Sequence, residues 1–234
     1  MPCILSIETS TKVCSLAISE RNNLIYYKED KAGSSHSSSL GLFAEEGIQL
    51  LDKSDLKLDA VAVSEGPGSY TGLRISVSFA KGLCYGYGVP MIAIPSLKIM
   101  ASRILNSDKY NIKDGTLLCP MIDARRMEVY SAIYDAHLNE VRSVQADVID
   151  ESAYQTYLAG NTVLFFGDGS DKCKSAIISP NAIFVDDIYP SASDMVLLAA
   201  EAYNKKEFVD VAYFEPFYLK EFQAVVAKNK VINK

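Results

Sequence analysis

The feature that most restricts the fold of this chain is the order of its short apolar segments. Residues 3–8, 13–19 and 24–29 are three such segments, separated by turns too short to hold a helix. This spacing predicts three consecutive antiparallel strands. The segments that follow alternate between helical and strand patterns, which predicts parallel strands joined by crossover helices. The N-terminal half is therefore predicted to be an α/β unit of the order β-β-β-α-β-α-β-α.

The first predicted helix has an apolar or small residue at every third or fourth position, as expected for a helix with one buried face. These residues are Leu40, Phe43, Ala44, Gly47, Ile48 and Leu51. Strands are predicted at residues 59–64 and 91–94, and a further helix from residue 96 to about residue 105. In the second half, a helix is predicted near residues 151–159.

The second half begins with a sequence similar to the start of the first. Residues 7–18 (IETSTKVCSLAI) and 122–134 (IDARRMEVYSAIY) both run from an isoleucine–acid pair through a polar turn into a strand. Weak self-similarity of this kind indicates a duplicated unit, with chance similarity as the alternative. We therefore predict two lobes that pack directly on each other, residues 1–105 and a smaller lobe of residues 106–234 with a docked tail.

Charge and cysteine content exclude several classes of protein. The net charge of −6 argues against free-standing nucleic-acid binding, because phosphate contacts require clustered lysine and arginine. Five cysteines without a C-x-x-C pair predict buried reduced thiols rather than a disulfide framework or a zinc site. No segment has the pattern of a membrane span or an export signal. We expect a cytoplasmic protein.

The glycine-rich segment SEGPGSYTG, residues 64–72, has the composition of a phosphate-binding loop but not its spacing. It lacks the lysine and the interval of a Walker loop, and its glycines miss the dinucleotide pattern by one residue. Pro67 also removes a backbone donor. We predict a tight turn, capped by Ser69 or Thr71, that leads into a helix; a phosphate site is the alternative.

The helix after this turn carries small residues in two rows and has only two charges, Arg74 and Lys81. The rows are Gly72, Ser76 and Ala80, and Ser78, Gly82 and Gly86. Such a helix needs cover on more than one side, either from its own core or from a partner. Our predicted interface with a partner or a second copy combines both helices: Leu40, Phe43, Ala44, Gly47, Ile48, Leu51, Gly72, Ser76, Phe79, Ala80 and Leu83.

Candidate catalytic residues are few. The two histidines, His36 and His137, belong to no metal-binding or nucleophile motif. Glu8 and Asp123 each end a predicted strand, where a nucleotide-binding fold would hold magnesium through water; the alternative is that they form hydrogen-bonded turns. The aromatic run YFEPFYLKEF, residues 213–222, is predicted to dock the chain end on the core, with base stacking as the alternative.

Six motifs, in order along almost the whole chain, resemble the TsaB (YeaZ) family. They are ILSIETS, HSSSL, SEGPGSYTGLRI, PSLKIMA, MIDARRMEVYSAIY and EPFYLK. The most specific are GPGSYTGLR and DARRMEVY. The resemblance implies an actin-like (ASKHA, sugar-kinase-like) fold of two ribonuclease-H-like lobes, which agrees with the segment order and the partial repeat.

The resemblance also implies a function. Members of this family are non-catalytic partners of the TsaD threonylcarbamoyltransferase, which forms N6-threonylcarbamoyladenosine at position 37 of tRNAs that read ANN codons. TsaD carries an H-x-x-x-H metal site that this chain lacks, so we expect no transfer chemistry and no cofactor here. Glu8, Thr9, Ser10 and Asp123 would then form a vestigial nucleotide site.

The partners implied by the resemblance are a TsaD-type paralogue, bound through the two helices, and a TsaE-type ATPase. We also expect a homodimer in isolation, no membrane contact, and tRNA contact that is at most indirect. Any minor direct contact would use Arg125, Arg126 or the basic tail. Two other functions stay open as alternatives, a peptidase and an independent ATPase of the same fold.

Overall fold

Two five-stranded mixed sheets organise the chain, which we describe from a computed structural model covering residues 2–32, 35–110 and 112–220. The first sheet contains β1 (Cys3–Glu8), β2 (Cys14–Glu20), β3 (Asn23–Asp30), β4 (Ala60–Gly66) and β5 (Met91–Pro95). Its spatial order is β3-β2-β1-β4-β5. The first three strands are antiparallel neighbours, and β4 and β5 run parallel to β1. The predicted antiparallel strands and crossover units are confirmed.

The second sheet repeats this arrangement. It contains β6 (Leu117–Asp123), β7 (Glu128–Tyr134), β8 (Glu140–Val148), β9 (Val163–Phe166) and β10 (Ala182–Val185). Its order is β8-β7-β6-β9-β10, with β6, β7 and β8 antiparallel and β9 and β10 parallel to β6. Two sheets of the same order and strand direction are the pattern of two ribonuclease-H-like lobes. The predicted α/β fold class is thereby confirmed.

Helices cover both faces of the first sheet. On the outer face lie α1 (His36–Lys53) and α2 (Tyr70–Tyr87), which share an apolar core with the odd-numbered residues of β1. The inner face is covered by α3 (Ser96–Leu105) and by α5 (Val196–Lys205), whose apolar side chains meet those of β1, β4 and β5. Because α3 also packs on the second sheet, the inner faces of both sheets join in one interior.

The second sheet has a much thinner outer cover. In place of two long helices it has α4 (Gln155–Leu158) and a single 3₁₀ turn at Asp171–Cys173. The sequence predicted a helix over about residues 151–159, and the structure corrects this to one turn. Tyr154 has φ 60°, a left-handed conformation that cannot continue a helix, so α4 begins only after it.

The last described residues form a strap across both sheets, which we define as residues 209–220. Val209 pairs with Met91 at the edge of β5, and Phe214 packs on the core of the first sheet. The backbone N–H of Phe217 donates to the carbonyl of Glu65 at 2.7 Å. Lys220 then forms an ion pair with Glu128 of the second sheet. The remainder of the aromatic run, residues 221–222, lies outside the described residues.

No helix among the described residues has both the length and the apolar character needed to cross a lipid bilayer.

Candidate functional site

The glycine-rich segment forms a tight turn that holds the start of α2 against the end of β1. Ser69 is the N-cap of α2, and its hydroxyl accepts the backbone N–H of Gly72 at 3.2 Å. Its own N–H donates to the carbonyl of Ser10 at 2.6 Å. A side chain at Gly68 would collide with the Ser10 backbone, and one at Gly72 with the carbonyl of Thr9. The chain's own backbone therefore fills the space beside the loop, and the predicted capped turn is confirmed.

A second glycine loop has the equivalent position in the second sheet. Gly167 follows β9 with φ 105°, and a side chain there would collide with the carbonyl of Met121 in β6. The backbone N–H of Gly169 donates to that same carbonyl at 3.1 Å. Both lobes thus use glycines to seat one loop directly on the first strand of the sheet.

The four residues predicted as a vestigial nucleotide site lie in two different environments. Glu8, Thr9 and Ser10 are buried, and the Thr9 hydroxyl donates to the carbonyl of Gly72 at 2.8 Å. Asp123 is about half exposed (47% of its side chain) and forms an ion pair with a lysine of the second lobe. In the described part of the chain, no hydrogen bond or ion pair joins it to the other three.

Burial also changes the protonation of Glu8. Its carboxyl group is fully buried, and desolvation raises its pKa from 4.5 to about 7, although contacts with Ser10 and Ser64 oppose the rise. Asp194 also has its pKa raised to about 7, again chiefly by burial, with Arg103 opposing. A magnesium nucleotide needs an accessible anionic oxygen and room beside the glycine loop. These residues do not fit that group, because the carboxyl is enclosed and backbone occupies the loop.

The two histidines have separate surroundings. The Nε2 atom of His36 lies 2.9 Å from the carbonyl of Thr11, and His137 is exposed beside Asp114. Among residues 2–32, 35–110 and 112–220, no group of three histidine, cysteine, aspartate or glutamate side chains is placed to hold a metal ion.

The predicted interface residues divide into buried and partly exposed sets. Seven of them pack against the chain's own first sheet: Leu40, Ala44, Gly47, Leu51, Gly72, Ser76 and Ala80. At Gly47 even a methyl group would lie 2.7 Å from Ile18, so this side of α1 is closed. A partner cannot reach these seven side chains, which corrects their assignment. The other four are half-buried. Phe43, Phe79 and Leu83 pack against the same core, and Ile48 is partly exposed on α1.

The accessible side of the helix pair is the other small-residue row of α2. Ser78, Gly82 and Gly86 are exposed, and no atom lies within 4 Å of a methyl group placed at either glycine. Tyr85 falls in the same row and is 90% exposed, while Leu42 of the neighbouring α1 is 61% exposed. We call Leu42, Ser78, Gly82, Tyr85 and Gly86 the outward row. Tyr85 and Leu42 were missed because the interface was predicted from the repeating apolar and small positions of the two helices, and neither residue occupies such a position.

The turn between β6 and β7 forms a separate charged feature. Arg125 and Arg126 are exposed there, and the Arg125 N–H donates to the Asp123 carboxylate at 3.0 Å. Lys172 also contacts Asp123 and donates to the carbonyl of Glu128 at 2.7 Å. Sequence spacing gave no indication that Lys172 would reach this turn.

Comparison with known proteins gives relatives over nearly the whole length. The family model described as "TsaD: tRNA N6-adenosine threonylcarbamoyltransferase" matches residues 29–228. The tRNA threonylcarbamoyladenosine biosynthesis protein TsaB of Escherichia coli is 28% identical over 226 residues, 93% of this chain and 94% of that protein. TsaB of Bacillus subtilis is 27% identical over 229 residues, 94% and 95% of the two chains.

Solved structures agree in fold and in family. A Pseudomonas aeruginosa protein described as uncharacterized, with similarity to peptidase YeaZ, superimposes with a TM-score of 0.80 at 25% identity. YeaZ from Pseudomonas aeruginosa superimposes with a TM-score of 0.77 at 26% identity. Each comparison covers 94% of this chain and all of the other. The chain therefore belongs to the TsaD tRNA N6-adenosine threonylcarbamoyltransferase family, and within it to the TsaB (YeaZ) group.

Proposed function

We propose that this chain takes part in formation of N6-threonylcarbamoyladenosine in tRNA, as a non-catalytic partner that activates a TsaD-type paralogue. The reaction would modify position 37 of tRNAs that read ANN codons. Support for the pathway comes from the family model and from relatives named for threonylcarbamoyladenosine biosynthesis.

The observation that carries the partner role is the outward row. An exposed helix face with two open glycines lets a second helix approach closely. The exposed Tyr85 on the same helix and Leu42 on α1 add apolar area on the outer side of the helix pair. Large exposed apolar side chains at the edges of a small-residue groove are typical of association surfaces. We expect one helix pair of the paralogue to pack here, and a second copy of this chain to use the same row in isolation.

The catalytic alternatives have less support. A peptidase needs either a nucleophile with a base or a metal site. His36 contacts the carbonyl of Thr11, and His137 lies beside Asp114, so neither histidine is paired with a nucleophile within the described ranges.

An independent ATPase would use Glu8, Thr9, Ser10 and Asp123. The first three are buried beside the chain's own backbone, and Asp123 is half exposed and paired with Lys172. A TsaE-type ATPase as a further partner is part of the proposal and has no dedicated feature among the described residues.

Gly82→Glu tests the partner role directly. A long charged side chain in the centre of the outward row should block helix packing, while the exposed position lets the helix itself form normally. We expect binding to the paralogue, measured by calorimetry, to weaken at least tenfold. Threonylcarbamoyladenosine formation in a purified system should fall in parallel.

Gly160→Glu is the matched control, because Gly160 is exposed in the second lobe with no atom within 4 Å of an added methyl group. It should bind and support modification like the unmodified chain. Normal binding by Gly82→Glu would remove the outward row from the interface. Modification at an equal rate without any of this chain would contradict the activating role itself.

A further inference from the structure

The motif DARRMEVY stands out in the sequence, and the proposed partner role does not explain it. Its turn is made by Arg125 and Arg126, which have φ 70° and 50° and are both exposed. Left-handed backbone is uncommon outside glycine, and hydrogen bonds hold it here. The Arg125 N–H donates to Asp123 at 3.0 Å, and the Glu128 N–H donates to the Arg125 carbonyl at 3.1 Å. Two guanidinium groups are thus presented on a turn of fixed shape.

Two of the acidic residues beside this turn form ion pairs with lysines. Lys172, from the 3₁₀ turn after β9, contacts Asp123. Lys220, at the end of the strap, contacts Glu128. In the described part of the chain neither turn arginine forms an ion pair, so their charge is available to an external anion. The face is locally basic although the whole chain has a net charge of −6.

The strap continues this surface toward the start of α2. The ring of Tyr218 stacks on Tyr70 with centroids 4.6 Å apart, and the Arg74 guanidinium lies 5.4 Å from the centre of the Tyr70 ring. Apolar surface is also exposed, at Met127 (38%) and Phe217 (40%). Cations interspersed with flat apolar side chains suit nucleic acid, because cations bind phosphates and flat surfaces contact bases.

We propose that this basic face, made of Arg74, Arg125, Arg126 and Tyr218, binds RNA directly by contacting the phosphate backbone. The choice of tRNA as the RNA rests on the proposed function, whereas the face is defined by its own charges. The proposal differs from the expectation of indirect contact, which came from the charge of the whole chain. Local charge governs contact with a polyanion, because salt screens charges more than about 10 Å away.

The test is equilibrium binding of the full chain, without paralogue, to a transcript of an ANN-decoding tRNA across about 50 to 200 mM salt. We compare a double variant, which carries both Arg125→Glu and Arg126→Glu, with the single variant Arg21→Glu. Arg21 is the matched control, since it is also an exposed arginine in a hairpin turn with φ 52°, but it lies between β2 and β3.

We expect the double variant to bind about tenfold or more weakly, and the slope of log Kd against log salt concentration to fall by about two. The control should match the unmodified chain. Arg74→Glu, on α2, tests the same face without altering the turn and should weaken binding in the same direction. Thermal melts followed by circular dichroism check that each variant is folded.

No measurable binding by the unmodified chain at the lowest salt, or equal affinity in all variants, would overturn the proposal. So would loss of paralogue binding by the double variant with tRNA affinity unchanged, which would assign the face to an acidic protein surface. Because the RNA measurement contains no paralogue, its failure would leave the Gly82→Glu result standing. Failure of Gly82→Glu would likewise leave the RNA result standing.

Discussion

Glu8 shows most clearly how a single side chain is altered by its place in the fold. It ends β1 with no exposed surface, and the Ser10 N–H donates to its carboxylate. Burial favours the neutral acid, so its pKa rises to about 7. The sequence pointed to Glu8 as an acid at a strand end, which is correct. Its burial depends on tertiary packing, including the contact with Ser64, which residue spacing does not reveal.

A raised pKa makes the folded protein bind a proton more tightly than the unfolded chain does. The stabilisation from Glu8 is therefore complete below pH 4.5 and is lost as the pH rises through about 7. Asp194 acts in the same direction over the window from pH 3.8 to about 7. Glu8→Gln cannot ionise, so we expect it to be more stable than the unmodified chain at pH 8, by roughly 3 kcal/mol at most.

Urea unfolding at pH 5 and pH 8 measures this difference. The increase in the free energy of unfolding from Glu8→Gln should become smaller toward pH 5. The control Glu45→Gln, at an exposed position of α1, should show no such increase. A variant that is less stable than the parent at both pH values would mean that the ionised carboxylate is needed by the fold.

At the scale of elements, α2 has some features that the sequence pattern predicts and one that it does not. Its two small-residue rows were visible in the sequence, and so was its capped start at Ser69. Which row faces the sheet was not visible, because Ala80 and Gly82 are both small and neither is charged. The sheet decides it, since the row starting at Gly72 packs on the carbonyl of Thr9. In the second lobe, the helix predicted near residues 151–159 is only one turn long, because Tyr154 has a left-handed backbone that the residue pattern does not reveal.

Gly72 and Gly86 lie on the same helix and should respond oppositely to alanine. At Gly72 a methyl group collides with backbone, so we expect Gly72→Ala to lower the free energy of unfolding by about 2 kcal/mol or more. At Gly86 nothing lies within 4 Å, so Gly86→Ala should raise it by about 0.5 to 1 kcal/mol through helix propensity. Denaturant titration compares them, and equal effects would contradict the described seating of α2 on β1.

At the scale of the whole molecule, the two lobes share structural elements. The C-terminal half contributes α5 to the inner face of the first sheet, where Leu198 and Ala199 meet Ile4 and Ile92. The strap runs back from the first sheet to Glu128 of the second. The repeat in the sequence indicated two similar units, but not that one would cover the other. The boundary at residues 105 and 106 stays a proposal for that reason.

Residues 1–105 alone should therefore not fold stably. Without α5, the inner-face side chains of β1, β4 and β5 would be exposed to water, which removes much of the hydrophobic stabilisation of that sheet. We expect the fragment to lack a cooperative thermal transition by circular dichroism, whereas the full chain should unfold in a single step. A cooperative melt of the fragment within a few degrees of the full chain would show that the N-terminal lobe is independent.

Five glycines of this fold form two sets with different reasons to stay glycine. At Gly68, Gly72 and Gly167 any side chain would meet backbone, so folding alone forbids replacement. At Gly82 and Gly86 there is open space, and folding would even gain from alanine. Natural sequence variation at the first set is therefore limited by folding, whereas variation at the second set is not. If the open pair were invariant among relatives, the cause would have to lie outside this chain, in whatever packs against it.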